Sequence, residues 1–168
     1  MTILPILKYP DPRLRTISKT VETFDEELTT LAQDMAMTMI NAPGAGLAAP
    51  QVNRPLRLIV VDWTSEGETY GQNVLTLVNP EIVATVGHQD SDEGCLSVTD
   101  LQAKVHRAGM VEVEALDVTG RPFSVSAEGR RAVILQHEID HLDGVLFLDH
   151  LSRLKQDLYK KKLKKILR

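Results

Sequence analysis

The sequence predicts an α+β fold, with antiparallel strands and three separated helices in one chain of 168 residues. Three observations predict it. Apolar residues recur at helical spacing in two stretches far apart, 25–41 and 129–142, and a third helical stretch ends the chain at 149–168. Between them the apolar positions turn to alternation or to short continuous runs, as strands require. The strands are grouped and joined by turns, not interleaved one for one with helices, which argues against a doubly wound parallel sheet.

Each element has a local reason. Pro10-Asp11-Pro12-Arg13 makes a rigid, turn-rich entry. Asp25 can cap a helix running to about Asn41, with Leu28, Leu31, Ala32, Met35, Ala36 and Met39 on one face. That helix stops at Ala42-Pro43-Gly44, since Pro and Gly both oppose helix. Residues 44–51, Gly-Ala-Gly-Leu-Ala-Ala-Pro-Gln, are too small for an ordinary helix or strand, and the stretch reads as a loop that lets a ligand come close to backbone. Segments 56–62 and 74–79 read as strands on either side of a polar, Gly-bearing loop. Residues 110–117 and 123–127 alternate around Thr119-Gly120-Arg121-Pro122 and read as a hairpin. Helix 129–142 follows, with Gly144 where a helix C-terminus favours glycine. The final helix takes Asp149 or Ser152 as its cap.

Composition narrows the class. With 43% hydrophobic and 25% charged residues the profile is that of a soluble globular protein, and the length suits one domain. A single cysteine excludes an internal disulfide, no apolar run is long enough to span a membrane, and the opening MTILPILKYP lacks a basic n-region. These features point to the cytoplasm. Charge is unevenly spread: residues 151–168 carry eight basic residues against one acid, a net +7, which leaves −11 on residues 1–150 of a chain whose total is −4. Such a tail suits a polyanionic partner.

The strongest chemical signal is His137-Glu138-Ile139-Asp140-His141. Residues four apart lie on one helical face, so the two imidazoles can grip one cation while the Glu138 carboxylate reaches a water beside it. Val133, Ile134, Leu135, Ile139 and Leu142 make this helix a buried one, where polar groups need partners and a metal supplies them. Catalytic sites usually draw three ligands from the protein. Downstream, Asp143, Asp149 and His150 are available, although His150 does not fit the metzincin spacing. Upstream, Cys95 lies in Glu93-Gly94-Cys95-Leu96-Ser97, and a thiolate beside two imidazoles suits iron(II), zinc, cobalt or nickel. A lone cysteine is otherwise a small buried hydrophobe. Gln51, at the end of the glycine stretch, offers an amide to a developing oxyanion.

Together, GAGLAAPQ at 44–51, EGCLS at 93–97 and HEIDH at 137–141 resemble, in this order, the three motifs of the peptide deformylase family, and LPILKYPDPRLR at 4–15 resembles its N-terminus. The likeness covers essentially the whole chain. It implies antiparallel sheets around a central metal-binding helix, flanked by an N-terminal helix and a basic C-terminal helix. Residues 1–150 would then be a catalytic metallohydrolase domain, with 151–168 a helix of the same domain. The family's chemistry is hydrolysis of the formyl group of N-formylmethionine on new polypeptides. By resemblance Cys95, His137 and His141 hold one divalent metal, most often Fe(II), with Zn, Ni or Co as substitutes. The same likeness makes Glu138 the proton carrier and gives the oxyanion to the Gln51 amide and the Leu96 N–H. Gly44 and Gly46 would offer backbone to an extended peptide, and Arg130, Val133 and Ile134 would line its first side-chain pocket.

Two departures stand out. Thr99 replaces the family's usual Pro, and Arg130-Arg131 replaces two leucines. Arg130 could narrow the methionine pocket or bind an acidic group, or both arginines could turn outwards. A related amidase with another first-residue preference, or a silent formyl-peptide or ribosome binder, is the competing reading. Glu93 and Arg107 are expected to pair and fix the cysteine loop, and Asp140 to orient its neighbours. His88, His106 and His150 read as ordinary histidines. In the tail Leu154, Leu158, Leu163, Ile166 and Leu167 are expected to pack partly on the body while the lysines meet ribosomal RNA. No membrane or DNA partner is expected, since the tail has no Trp or Phe on its apolar side.

Overall fold

The computed structural model describes residues 1–168. Helix α1 spans Glu26–Asn41, and the Asp25 side chain caps it by accepting from the Leu28 N–H at 3.0 Å. Strands β1 (Gly46–Ala48), β2 (Leu58–Asp62), β3 (Val74–Cys95), β4 (Val98–Leu116) and β5 (Pro122–Glu128) follow. They form one antiparallel sheet in the order β1-β2-β3-β4-β5. Helix α2 covers Gly129–Leu142 and helix α3 covers Arg153–Ile166. No helix is long and apolar enough to cross a membrane.

The sheet has a helix on each face of β2. Along β2, Ile59 and Val61 face α2, in a cluster with Leu77, Ala132, Leu135, Ile139 and Leu142. Leu58 and Val60 face α1, in a cluster with Leu28, Ala32, Met35 and Met39. All four β2 residues are fully buried, which is why this strand reads as a continuous apolar run. Polar contacts then fix α2. The Gln136 amide accepts from the Ala108 N–H at 3.0 Å and donates to the Ala108 carbonyl at 3.1 Å, clasping β4. At the other end the Leu142 carbonyl accepts from the Ser18 N–H at 2.8 Å. Gly144, at φ +71°, turns the chain away, and a Cβ there would lie 2.4 Å from the Arg15 carbonyl oxygen.

Three sequence expectations are corrected. The glycine stretch is not a plain loop: Gly46–Ala48 pairs with Ile59–Val61 as β1, and residues 49–52 form a 3₁₀ turn. A waiting partner strand, rather than side-chain propensity, makes it a strand. Strands β3 and β4 run far beyond 74–79 and 110–117, and residues 80–109 form most of a long two-stranded ribbon ending at Cys95 and Val98. Much of that ribbon is exposed on both faces, so it shows no apolar alternation. The last helix begins at Arg153 with Ser152 as its cap, and 147–150 is a separate 3₁₀ turn. Its anchors are Tyr159 and Leu163, packed with Leu14, Val98 and Phe147, while Leu154, Leu158, Ile166 and Leu167 stay exposed.

Candidate metal centre and groove

The tip of the β3–β4 ribbon meets the buried face of α2. Cys95 is the last residue of β3, and His137 and His141 are one turn apart on α2. One ligand atom from each lies within 4.8 Å of the others, and Cys95 Sγ is 3.4 Å from His141 Nε2. The Ser97 N–H at 3.4 Å and the Gln51 amide at 3.6 Å donate to the same sulfur. Both imidazoles are buried, and His141 Nδ1 has no hydrogen-bond partner.

These residues fit a divalent transition metal. One soft sulfur and two imidazole nitrogens are the donor set such ions take, and three protein ligands leave room for water. Two buried imidazoles turned towards a thiol, with His141 Nε2 3.4 Å from the sulfur, are polar groups placed for a cation between them.

Around the ligands runs a charged network. Glu93 accepts from His137 Nδ1 at 2.9 Å, which directs Nε2 inwards, and also from Arg107 at 2.8 and 2.9 Å. Arg107 donates to Asp140 at 2.6 Å, and Asp140 lies 2.8 Å from His150. The expected Glu93–Arg107 pair is thus real, buried and shared with His137, and the exposed His150 joins the network through Asp140. Burial would raise the Glu93 carboxyl, but Arg107 and His137 outweigh it and hold the group down at about 2. Glu138, on the same helix, goes the other way: burial pushes it up to about 7 against the pull of His137. Its Oε2 is buried without a partner.

A groove of about 830 Å³ opens on this centre. Every residue expected at the site lines it, namely Gly44, Gly46, Gln51, Cys95, Leu96, Arg130, Val133, Ile134, His137 and Glu138, except His141, which lies behind at 1% exposure. Gln51 is firmly held: its Oε1 accepts from the Ala48 N–H at 2.8 Å and its Nε2 donates to Ser97 Oγ at 3.1 Å. The two arginines part ways. Arg131 lies over the Trp63 ring, 4.7 Å from its centroid, and donates to the Trp63 carbonyl at 2.9 Å, while Arg130 stands at the groove. Sequence reasoning missed Ser97, Tyr70 and the Arg131–Trp63 contact, which join residues distant along the chain. For Ser97 alone there was a signal, its place inside the cysteine motif.

A thiol and two imidazoles converging beside a buried carboxylate of raised pKa, on the wall of an open groove, define a metal-dependent hydrolase. Known proteins narrow that class. The family model for polypeptide deformylase matches residues 3–157. A peptide deformylase of Desulfotalea psychrophila is 52% identical over 165 residues, 98% of this chain and 97% of that protein. One from Brucella suis is 48% identical, over 99% of this chain and 94% of its own length. Among solved structures, a peptide deformylase from Legionella pneumophila superimposes with a TM-score of 0.91 at 49% identity, covering 99% of this chain and 96% of that one. One from Ehrlichia chaffeensis in complex with actinonin gives 0.92 at 39% identity, covering 100% and 99%. This chain belongs to the peptide deformylase family, enzymes that remove the N-formyl group from newly made polypeptides.

Proposed function

We propose that this enzyme deformylates N-formylmethionine with Cys95, His137 and His141 holding one divalent cation, Fe(II) in the cell, and Glu138 moving the proton. The observation that carries this reading is the convergence of three donor atoms within 4.8 Å beside a carboxyl pushed up to about 7. When bound, the cation supplies Lewis acidity that lowers the pKa of a coordinated water from 15.7 towards about 7. Glu138 then takes a proton near neutral pH and returns it to the leaving amine, because its pKa matches the working range. The Gln51 amide, held by Ala48 and Ser97, donates to the developing oxyanion together with the Leu96 N–H. His137 is held in one tautomer by Glu93. Gly46 offers its edge to the peptide as to an added strand.

Leu96, Val133 and Ile134 give the groove an apolar wall for a methionine side chain. Arg130 favours a second substrate class, since Trp63 occupies Arg131 but Arg130 stands exposed at the groove. Formylated peptides with an acidic first residue are therefore accepted beside those with methionine. Action on nascent chains sets the place of work at the cytoplasmic ribosome. Residues 1–150 form the catalytic unit, and 151–168 are a helix of the same domain that brings lysines to ribosomal RNA. Loss of ribosome pelleting on deleting 151–168, with binding that weakens as salt rises, tests that contact.

The central experiment is anaerobic purification, metal analysis and assay on formyl-Met-Ala-Ser beside formyl-Asp-Ala-Ser, with Cys95→Ala as control. One iron per chain, lost with activity in Cys95→Ala, is the expected result. Full activity of Cys95→Ala defeats the ligand assignment, and no activity on either peptide with metal bound defeats the function.

A further inference from the structure

Along the edge from Gly44 to Ala48 that faces the groove, Gly46 stands open, with the Gly44 carbonyl and N–H and the Ala48 N–H on either side of it already engaged. Leu47 pairs with Val60, and the Ala45 carbonyl accepts from the Asp62 N–H at 2.9 Å. Antiparallel alternation therefore turns the backbone groups of Gly44, Gly46 and Ala48 away from β2. The Ala48 N–H is taken by Gln51 Oε1 at 2.8 Å. The Gly44 carbonyl is taken by the Tyr70 hydroxyl at 2.7 Å, and the Gly44 N–H donates to the Met39 carbonyl at 3.0 Å. Gly46 lies between them with the Glu138 carboxylate across from it.

Tyr70 comes from the loop between β2 and β3, and that loop has a firm base. The Trp63 N–H donates to the Asn73 carbonyl at 2.7 Å. Asp62 Oδ1 accepts from the N–H groups of Thr64 at 3.3 Å and Gly71 at 3.4 Å. The Arg131 guanidinium stacks on Trp63 from α2. The phenol is thus carried on a braced platform to the one carbonyl that precedes the open edge.

We propose that Tyr70 is a positioning residue for the formylated peptide: by holding the Gly44 peptide plane it fixes the outward N–H and C=O of Gly46 in strand geometry for the incoming backbone. This rests on the reading of the groove as the site of formyl-peptide hydrolysis. Tyr70 touches no reacting atom, so its effect is on how an extended chain binds and not on proton transfer.

Tyr70→Phe keeps the ring and removes the hydroxyl. On formyl-Met-Ala-Ser its kcat/KM should fall on the order of three- to tenfold, the equivalent of one neutral hydrogen bond, and through KM. On formyl-Met, which has no backbone beyond its first residue, the change should stay within about twofold. Hydrogen exchange of segment 43–48 should quicken while metal content stays put and the unfolding midpoint falls by no more than the loss of one hydrogen bond allows. Equal losses on both substrates, an unchanged KM for the tripeptide, or unchanged exchange would each overturn the proposal. A metal-loaded wild-type chain inactive on both substrates overturns the reading of the groove and the positioning role with it.

Discussion

Replacing Gly46 by alanine puts a methyl group into space that the Glu138 carboxylate occupies. The added Cβ would lie 2.6 Å from Oε1, 2.7 Å from Cγ and 2.8 Å from Cδ. Carbon atoms pack at about 3.5–4.0 Å, so either strand or side chain must shift by about 1 Å. The strand cannot easily yield, because Leu47 and Ala48 on its far side are fully buried and paired with β2. Glu138 has only 5% of its surface exposed, and its Cγ as well as its tip is in the way, so rotating the carboxylate alone does not clear the clash. A misplacement of about 1 Å costs roughly a hundredfold in rate. Overpacking adds about 1–3 kcal/mol of destabilisation. Gly44→Ala is the control: its Cβ would meet Leu96 Cδ1 at 2.6 Å, the far end of a half-buried leucine that can turn aside. Formate release from formyl-Met-Ala-Ser is measured for both variants, with denaturation midpoints alongside. Gly46→Ala should lose about a hundredfold in kcat while remaining folded, and Gly44→Ala about tenfold or less. A folded Gly46→Ala with wild-type kcat, or equal losses in both variants, would refute the assignment of Glu138 as the proton carrier.

Other perturbations test the surrounding network. Arg107→Ala leaves the Glu93 carboxylate buried with only the His137 imidazole as its remaining side-chain partner and strips Asp140 of its 2.6 Å donor, so urea denaturation should show a loss of about 3–5 kcal/mol. The Glu93 carboxyl sits at about 2 in the folded chain against 4.5 unperturbed. A lowered folded pKa stabilises fully above 4.5 and is lost as pH falls towards 2, so this part of stability should fade across that window. Denaturation midpoints of Glu93→Gln should be flatter over the same range; a slope equal to wild type counts against the shift. Asp25→Ala removes the α1 cap and should cost about 1 kcal/mol in thermal or chemical unfolding without touching kcat, since the helix end is remote from the groove.

The sequence by itself determined what a few neighbouring residues can settle. The caps and period of α1, the hairpin at 117–122, the extent of α2 and the pairing of His137 with His141 on one face are local patterns, each contained in about one element's length. The motifs also carried the identities of the groove residues. What the tertiary structure alone decided spans long separations. The sulfur of Cys95 reaches His141 across 46 residues, and Glu93 meets His137 across 44. Tyr70 reaches Gly44 because two strands and a helix bring them together. Strand β1 exists because β2 offers it a partner, and the ribbon of β3 and β4 hides its period because much of it is exposed on both faces and buried only where it meets α2 and the last helix. In the tail, five leucines and isoleucines had the right spacing to pack, yet only Leu163 found a surface, with Tyr159 beside it. Local chemistry obeys a period that one strand or helix can display, whereas burial and long-range hydrogen bonds depend on which surfaces the whole chain brings together.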